Sequence, residues 1–177
     1  QECRADSCRY CSGRVPDIVE HAILITAKGK NMKHPIHPML VHFPVATWFL
    51  ATLGDIASLF THEQVGWVAG VLLVIGTMTA LLAMVTGLVE LGKIDSQSPA
   101  ANIANQHMIL ILTSWSFYAV SLFLRLDGTQ LEQPGSLAIA SSVAGLIFLC
   151  SAGWMGGKLV YEYGVGIHPS SPDRSQQ

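Results

Sequence analysis

The stretch GWVAGVLLVIGTMTALLAMVTGLV, residues 66–89, decides the fold class because its 24 residues include no charged side chain. A helix of this length, at a rise of about 1.5 Å per residue, crosses a hydrocarbon layer of about 30 Å. Apolar stretches of about 18 residues or more with few charges are typical of transmembrane helices. Residues 66–89 therefore predict a membrane span.

Three further apolar stretches predict spans on either side of this one, at residues 39–60, 107–124 and 136–157. Half of the 177 residues are hydrophobic and 12% are charged, whereas soluble domains carry about 25% charged residues. Lipid offers no water to unpaired backbone groups, so helices are the expected spanning form. The sequence thus predicts an all-α fold, a four-helix transmembrane bundle in contact with the lipid bilayer.

The distribution of positive charge predicts the orientation of these spans. Four spans place both termini on one side of the membrane, called side A, and the connections after the first and third spans on the opposite side, side B. Of the ten Lys and Arg residues, nine fall on side A and only Arg125 falls on side B. Because Lys and Arg near span ends stay in the cytoplasm, we expect both termini to be cytoplasmic.

The same profile divides the chain into three parts. We expect a weakly ordered amino-terminal extension at residues 1–32, a four-span domain at residues 33–168 and a polar tail at residues 169–177. Met32 directly precedes the membrane domain and is a candidate initiator, so no function is assigned to residues 1–31. No internal repeat is evident, and we expect no nucleic-acid partner.

Histidines gather at the side-A end of the predicted bundle. His34, His37 and His42 lie at the start of the first span, and His107 opens the third. Imidazoles that face each other across a bundle core can hold a metal or a cofactor. We therefore expect a haem b between His107 and either His37 or His42, and the same three histidines are the candidate metal ligands.

Other residues complete or compete with this cofactor site. His34 is a further candidate ligand, and Lys93 and Lys158 are placed to meet the haem carboxylates on side A. The alternative is that the histidines lie in the headgroup region and bond to water. Asp55, near the side-B end of the first span, is expected either to reach outward or to bond to a neighbouring helix, with a proton relay as the alternative.

Three cysteines near the amino terminus raise the question of an iron–sulfur cluster. Cys3, Cys8 and Cys11 have the C-x4-C-x2-C spacing of the first three ligands of a plant-type [2Fe–2S] site. The fourth ligand is missing, since Cys150 lies inside the fourth predicted span. We expect no such cluster, and the lack of a C-x-x-C-H motif excludes a covalent c-type haem.

Four motifs in order resemble a bacterial family of predicted multi-pass membrane proteins, a domain of unknown function called DUF2231. The motifs are HPIHPMLVHFP, TGLVEL, NQHMILIL and GWMGGKLVYEYGVG, and the resemblance covers residues 33–168. It implies a bacterial inner-membrane location, an electron-transfer context and a b-type haem. It also implies that His34, His37 and His107 belong to the family pattern, with glycines 153, 156 and 157, whereas relatives often have another residue at the position of His42, which favours His37 over His42 as the ligand.

These observations favour a haem-binding electron-transfer protein or a small subunit of a redox complex. Its expected partners are a quinone, other membrane redox subunits or further copies of the chain. The alternative is a structural or assembly subunit without a cofactor, to which the glycines and short loops would be suited. A proton or ion pathway is disfavoured, because two of the spans carry no ionisable residue. No catalytic constellation is evident.

Overall fold

The computed structural model describes residues 36–166, and four long helices make up most of this part of the chain. They are α1 (Ile36–Ser58), α2 (Glu63–Leu91), α3 (Pro99–Phe123) and α4 (Ser136–Tyr161). His34, the cysteines at positions 3, 8 and 11, the extension at 1–32 and the tail at 169–177 lie outside the described residues. The predicted all-α, four-helix architecture is confirmed.

Two short strands interrupt the connection between α3 and α4. β1 (Leu126–Asp127) pairs antiparallel with β2 (Gln130–Leu131), with Leu126 opposite Leu131. Gly128 in the intervening turn has a φ of 60°, a conformation that glycine adopts without steric cost. This hairpin folds back over the end of the bundle, where Leu131 approaches Gly70 of α2.

The helices form two antiparallel hairpins that pack side by side. α1 packs along α2, and α3 packs along α4; between the hairpins, α1 contacts α4 and α2 contacts α3. Helices α1 and α3 are therefore diagonal to each other, as are α2 and α4. The starts of α1 and α3 lie at one end of the bundle, side A, and their ends lie at side B.

The outer surface of the bundle is apolar, which is the inverse of a soluble protein. Large hydrophobic side chains such as Met78, Leu82, Ile109 and Trp154 are between 61% and 78% exposed. Each of the four helices is long and apolar enough to cross a membrane. A continuous apolar surface of this kind is stable against lipid and not against water, so the chain is a multi-pass membrane protein.

Candidate functional site

His37 turns inward at the start of α1 and contacts α2. Its Nδ1 lies 2.9 Å from the carbonyl oxygen of Ala83 and 3.2 Å from Oγ1 of Thr86. A carbonyl oxygen only accepts hydrogen bonds, so Nδ1 must carry the proton. The Thr86 hydroxyl donates its own proton to Ala83, which leaves its oxygen free to accept from His37. In the neutral form of His37 the lone pair therefore lies on Nε2.

Gly87 provides the space in which the His37 ring lies. A Cβ at position 87 would come within 2.9 Å of the ring's Cε1 atom, a separation that real Cβ atoms do not show. The residue is also buried. Only glycine allows the imidazole to approach the backbone of α2 this closely.

His107 repeats this arrangement in the second hairpin. Its Nδ1 lies 2.9 Å from the carbonyl oxygen of Ala152 in α4, so Nδ1 again carries the proton. A Cβ at Gly156 would lie 3.2 Å from Cε1 of the ring. Both rings are half-buried. In both rings Nδ1 thus bonds to the second helix of the same hairpin, and within the described part of the chain Nε2 takes part in no hydrogen bond.

The remaining predicted site residues lie elsewhere. His42 is exposed, and its Nδ1 bonds to the carbonyl of Pro38 one turn earlier on its own helix. Lys93 is exposed just after α2, and the Lys158 ammonium lies 3.6 Å from the Glu162 carboxylate. The structure therefore brings His37, rather than His42, into the bundle with His107. Across residues 36–166, no group of three or more His, Cys, Asp or Glu side chains is placed to hold a metal ion.

A stacked aromatic pair fills the middle of the bundle. The rings of Trp48 and Tyr118 lie 4.6 Å apart at 13° to each other, and both side chains are buried. Each ring lies against a glycine of its own hairpin: Trp48 against Gly76, and Tyr118 against Gly145. The pair bridges the diagonal helices α1 and α3 across the central axis.

A buried ion pair at side B connects α1 with Arg125, which directly follows α3. The Arg125 guanidinium donates to both carboxylate oxygens of Asp55, at 2.9 and 2.7 Å, and both side chains are fully buried. Ser142 also donates to the carboxylate, and Arg125 donates to Ser121. Of the two outcomes expected for Asp55, the structure shows the bond to a neighbouring segment.

Sequence reasoning treated Arg125 as a loop residue and missed its partnership with Asp55. A signal was present, because Asp55 is the only charged residue within its span and Arg125 is the only Lys or Arg assigned to side B. Predicted topology places both at the same membrane depth. A charge inside a membrane protein is costly unless paired, so this coincidence points to an ion pair.

The three pairs share one register. The two members of each pair are 70 residues apart in the sequence: His37 and His107, Trp48 and Tyr118, Asp55 and Arg125. The glycines that adjoin the rings are 69 residues apart: 87 and 156, 76 and 145. The two hairpins are therefore structural repeats related by a pseudo-twofold axis along the bundle. Two of the three pairs differ in residue type, and among these positions only the histidines and the adjoining glycines are the same in both hairpins, so the repeat is weak in the sequence itself.

Comparison with known proteins identifies one relationship. Residues 33–169 match the family model described as predicted membrane protein (DUF2231). Neither a curated protein nor a solved structure matches the chain.

Proposed function

The chain belongs to the DUF2231 family of predicted membrane proteins, and we propose that it binds a haem b between His37 and His107. In this proposal it is an electron-transfer protein, or a small subunit of a redox complex, in the bacterial inner membrane. The observation that carries the proposal is the matched pair of imidazoles, each with Nδ1 bonded to a backbone carbonyl and with no hydrogen bond to Nε2 from residues 36–166.

Metal-ligating histidines characteristically show this pattern of hydrogen bonds. The nitrogen that does not bind the metal donates to a carbonyl or carboxylate, which fixes the tautomer and the direction of the ring. His37 donates to Ala83 and His107 donates to Ala152. Both rings are thus held in the form that a metal requires before any metal binds.

The number of ligands favours haem over a metal held by protein alone. A structural or catalytic zinc ion needs three or four protein ligands, whereas the described residues offer one such imidazole in each hairpin. A porphyrin supplies four nitrogens itself, so two axial histidines complete the coordination of its iron. A donor set of two imidazoles therefore fits a b-type haem.

The register of the repeat supports placement of the two rings on opposite sides of the central axis. Eleven residues separate His37 from Trp48 and seven separate Trp48 from Asp55, which are close to three and two helical turns. All three positions therefore share one face of α1, and the equivalent His107 and Tyr118 share one face of α3, with Arg125 just beyond its end. At the two deeper levels, residues 70 apart meet directly.

In this proposal His37 and His107 would hold the haem, which would supply one-electron chemistry when bound. The hydrogen bonds from Nδ1 to Ala83 and Ala152 fix the orientation of the two rings. That arrangement suits passage of electrons to a quinone or to other redox subunits. The positive charge assigned to side A supports a cytoplasmic location for this end of the bundle.

Optical spectroscopy tests the proposal directly. Full-length protein purified in detergent from haem-replete cells should show a Soret band and, after dithionite, sharp visible bands. His37→Ala and His107→Ala should each abolish the spectrum. His42→Ala is the matched control, because this exposed ring bonds only to its own helix, and it should leave the spectrum intact. A folded wild-type protein that stays colourless and binds no added haemin would overturn the proposal.

A structural or assembly subunit without a cofactor is the second candidate, and one observation favours it. The bonds from His37 to α2 and from His107 to α4 tie helices together in their own right. Among the described residues, every buried polar side-chain atom has a hydrogen-bond partner. If this candidate is correct, the histidine variants will lose binding to partner subunits or thermal stability, and no variant will alter an absorption spectrum.

A further inference from the structure

We infer that the site consists of two equivalent half-sites, one in each hairpin, in which Gly87 and Gly156 are positioning residues for the ligand imidazoles. This inference rests on the proposed function for the identity of the ligand. Its structural content, a fixed ring orientation in each hairpin, can be measured without any ligand. A half-site is a histidine from the first helix of a hairpin, with a carbonyl and a glycine from the second.

The two half-sites have the same construction in detail. In each, the glycine that adjoins the ring follows the acceptor carbonyl by four residues, from Ala83 to Gly87 and from Ala152 to Gly156. Four residues are about one helical turn, so the carbonyl and the glycine lie on the same face of the second helix. The ring is thus fixed by the hydrogen bond from Nδ1 to the carbonyl oxygen, and its Cε1 atom lies next to the backbone of the glycine.

The glycines control the direction of Nε2 because they allow the ring to approach the helix. An added methyl at position 87 would lie 2.9 Å from Cε1 of His37, and one at position 156 would lie 3.2 Å from Cε1 of His107. The ring must rotate or retreat to relieve the first contact, and either movement weakens its bond to Ala83. The second contact is less severe and requires a smaller shift.

The half-sites differ in one respect that makes them distinguishable. Thr86 adds a second acceptor, 3.2 Å from Nδ1 of His37, while the corresponding position in the second hairpin is Met155. A methionine side chain offers no comparable acceptor. The His37 ring is therefore fixed by two acceptors and the His107 ring by one.

Nitrogen-15 NMR of the cofactor-free protein in detergent, with labelled histidine, tests the inference in the absence of haem. Both rings should show a protonated Nδ1 and an unprotonated Nε2. Gly87→Ala should convert the His37 signal to a mixture of tautomers and leave His107 unchanged. Gly156→Ala should affect His107 alone, and more weakly.

Titration with haemin measures the consequence for binding. Loss of a group that orients a metal-binding histidine costs about 10- to 100-fold in affinity, so Gly87→Ala should weaken haemin binding by about that factor and Gly156→Ala by about tenfold or less. Gly157→Ala is the matched control, since an added Cβ there meets nothing within 4 Å, and its affinity should stay within about twofold of wild type.

The outcomes separate this inference from the proposed function. If wild type binds no haemin but both rings show the fixed Nδ1–H form, the proposed function fails and the half-sites stand. If haemin binds and Gly87→Ala behaves like Gly157→Ala in tautomer and affinity, the positioning role is wrong. If Gly87→Ala fails to fold, comparison of Gly156→Ala with Gly157→Ala tests the positioning role in the second hairpin instead.

Discussion

The two ends of the bundle differ in whether the residues related by the repeat contact each other. At side B, Asp55 and Arg125 meet directly on the pseudo-twofold axis and are fully enclosed. At side A, His37 and His107 occupy the equivalent register, yet each bonds to the second helix of its own hairpin and remains half-buried. The same backbone arrangement thus gives a direct, buried contact between the two hairpins at side B and two half-buried rings, each bonded within its own hairpin, at side A.

Chemical complementarity explains this difference. A carboxylate accepts from two directions and a guanidinium donates in a matching fork, so Asp55 and Arg125 satisfy each other. Two imidazoles with protonated Nδ1 atoms both offer lone pairs and have no proton to share between them. Neither ring can therefore donate to the other through Nε2, and each instead donates through Nδ1 to the second helix of its own hairpin.

Breaking the ion pair should have the largest effect on stability. Arg125→Ala leaves the Asp55 carboxylate buried and uncompensated, and loss of one partner from a buried pair costs about 3–5 kcal/mol. We expect a loss of this order in the free energy of unfolding, measured by denaturant titration in detergent. Lys158→Ala is the control, because its pair with Glu162 is partly exposed and exposed pairs contribute about 0–1 kcal/mol.

Exchange of the two charges tests whether the positions are equivalent. Asp55→Arg combined with Arg125→Asp should recover part of the stability lost by either single substitution, because the pseudo-twofold relates the two sites. Recovery should be incomplete, since Ser142 and Ser121 are arranged around the original orientation. A double variant as unstable as the sum of the single variants would contradict the equivalence.

Overpacking of the aromatic pair should have an intermediate effect. A Cβ at Gly76 would lie 2.6 Å from Cδ1 of Trp48, whereas a Cβ at Gly145 would lie 3.0 Å from the Tyr118 ring. Extra methyl groups in a packed core cost about 1–3 kcal/mol, so Gly76→Ala should destabilise the protein more than Gly145→Ala. Thermal unfolding in detergent compares them, with Gly153→Ala, which has open space around it, as the control.

Removal of a single imidazole should have the smallest effect on cofactor-free protein. His107→Ala deletes one hydrogen bond between helices, and such bonds in membrane proteins average about 0.6 kcal/mol. The change should be close to the error of the unfolding measurement, while the haem spectrum disappears entirely. A loss comparable with that of Arg125→Ala would favour the purely structural interpretation of the histidines.

The sequence alone predicted the parts of this protein that depend on composition. Long apolar stretches such as residues 66–89 predict four spanning helices. In lipid the backbone N–H and C=O groups of a single segment are all paired only when that segment is helical. Because successive spans alternate in direction, the histidines at the beginnings of the first and third predicted spans lie on the same side of the membrane. Family membership also followed from the motifs at the span ends.

Only the tertiary structure decided which side chains meet. Whether His37 or His42 enters the bundle depends on the rotation of α1, and five residues along a helix turn the side chain well away from its starting face. The Asp55–Arg125 pair and the 70-residue repeat depend on contacts between segments far apart in the chain. The hydropathy of the sequence determines the depth of a residue in the membrane. Which residue it contacts depends on how the side chains of different helices pack together.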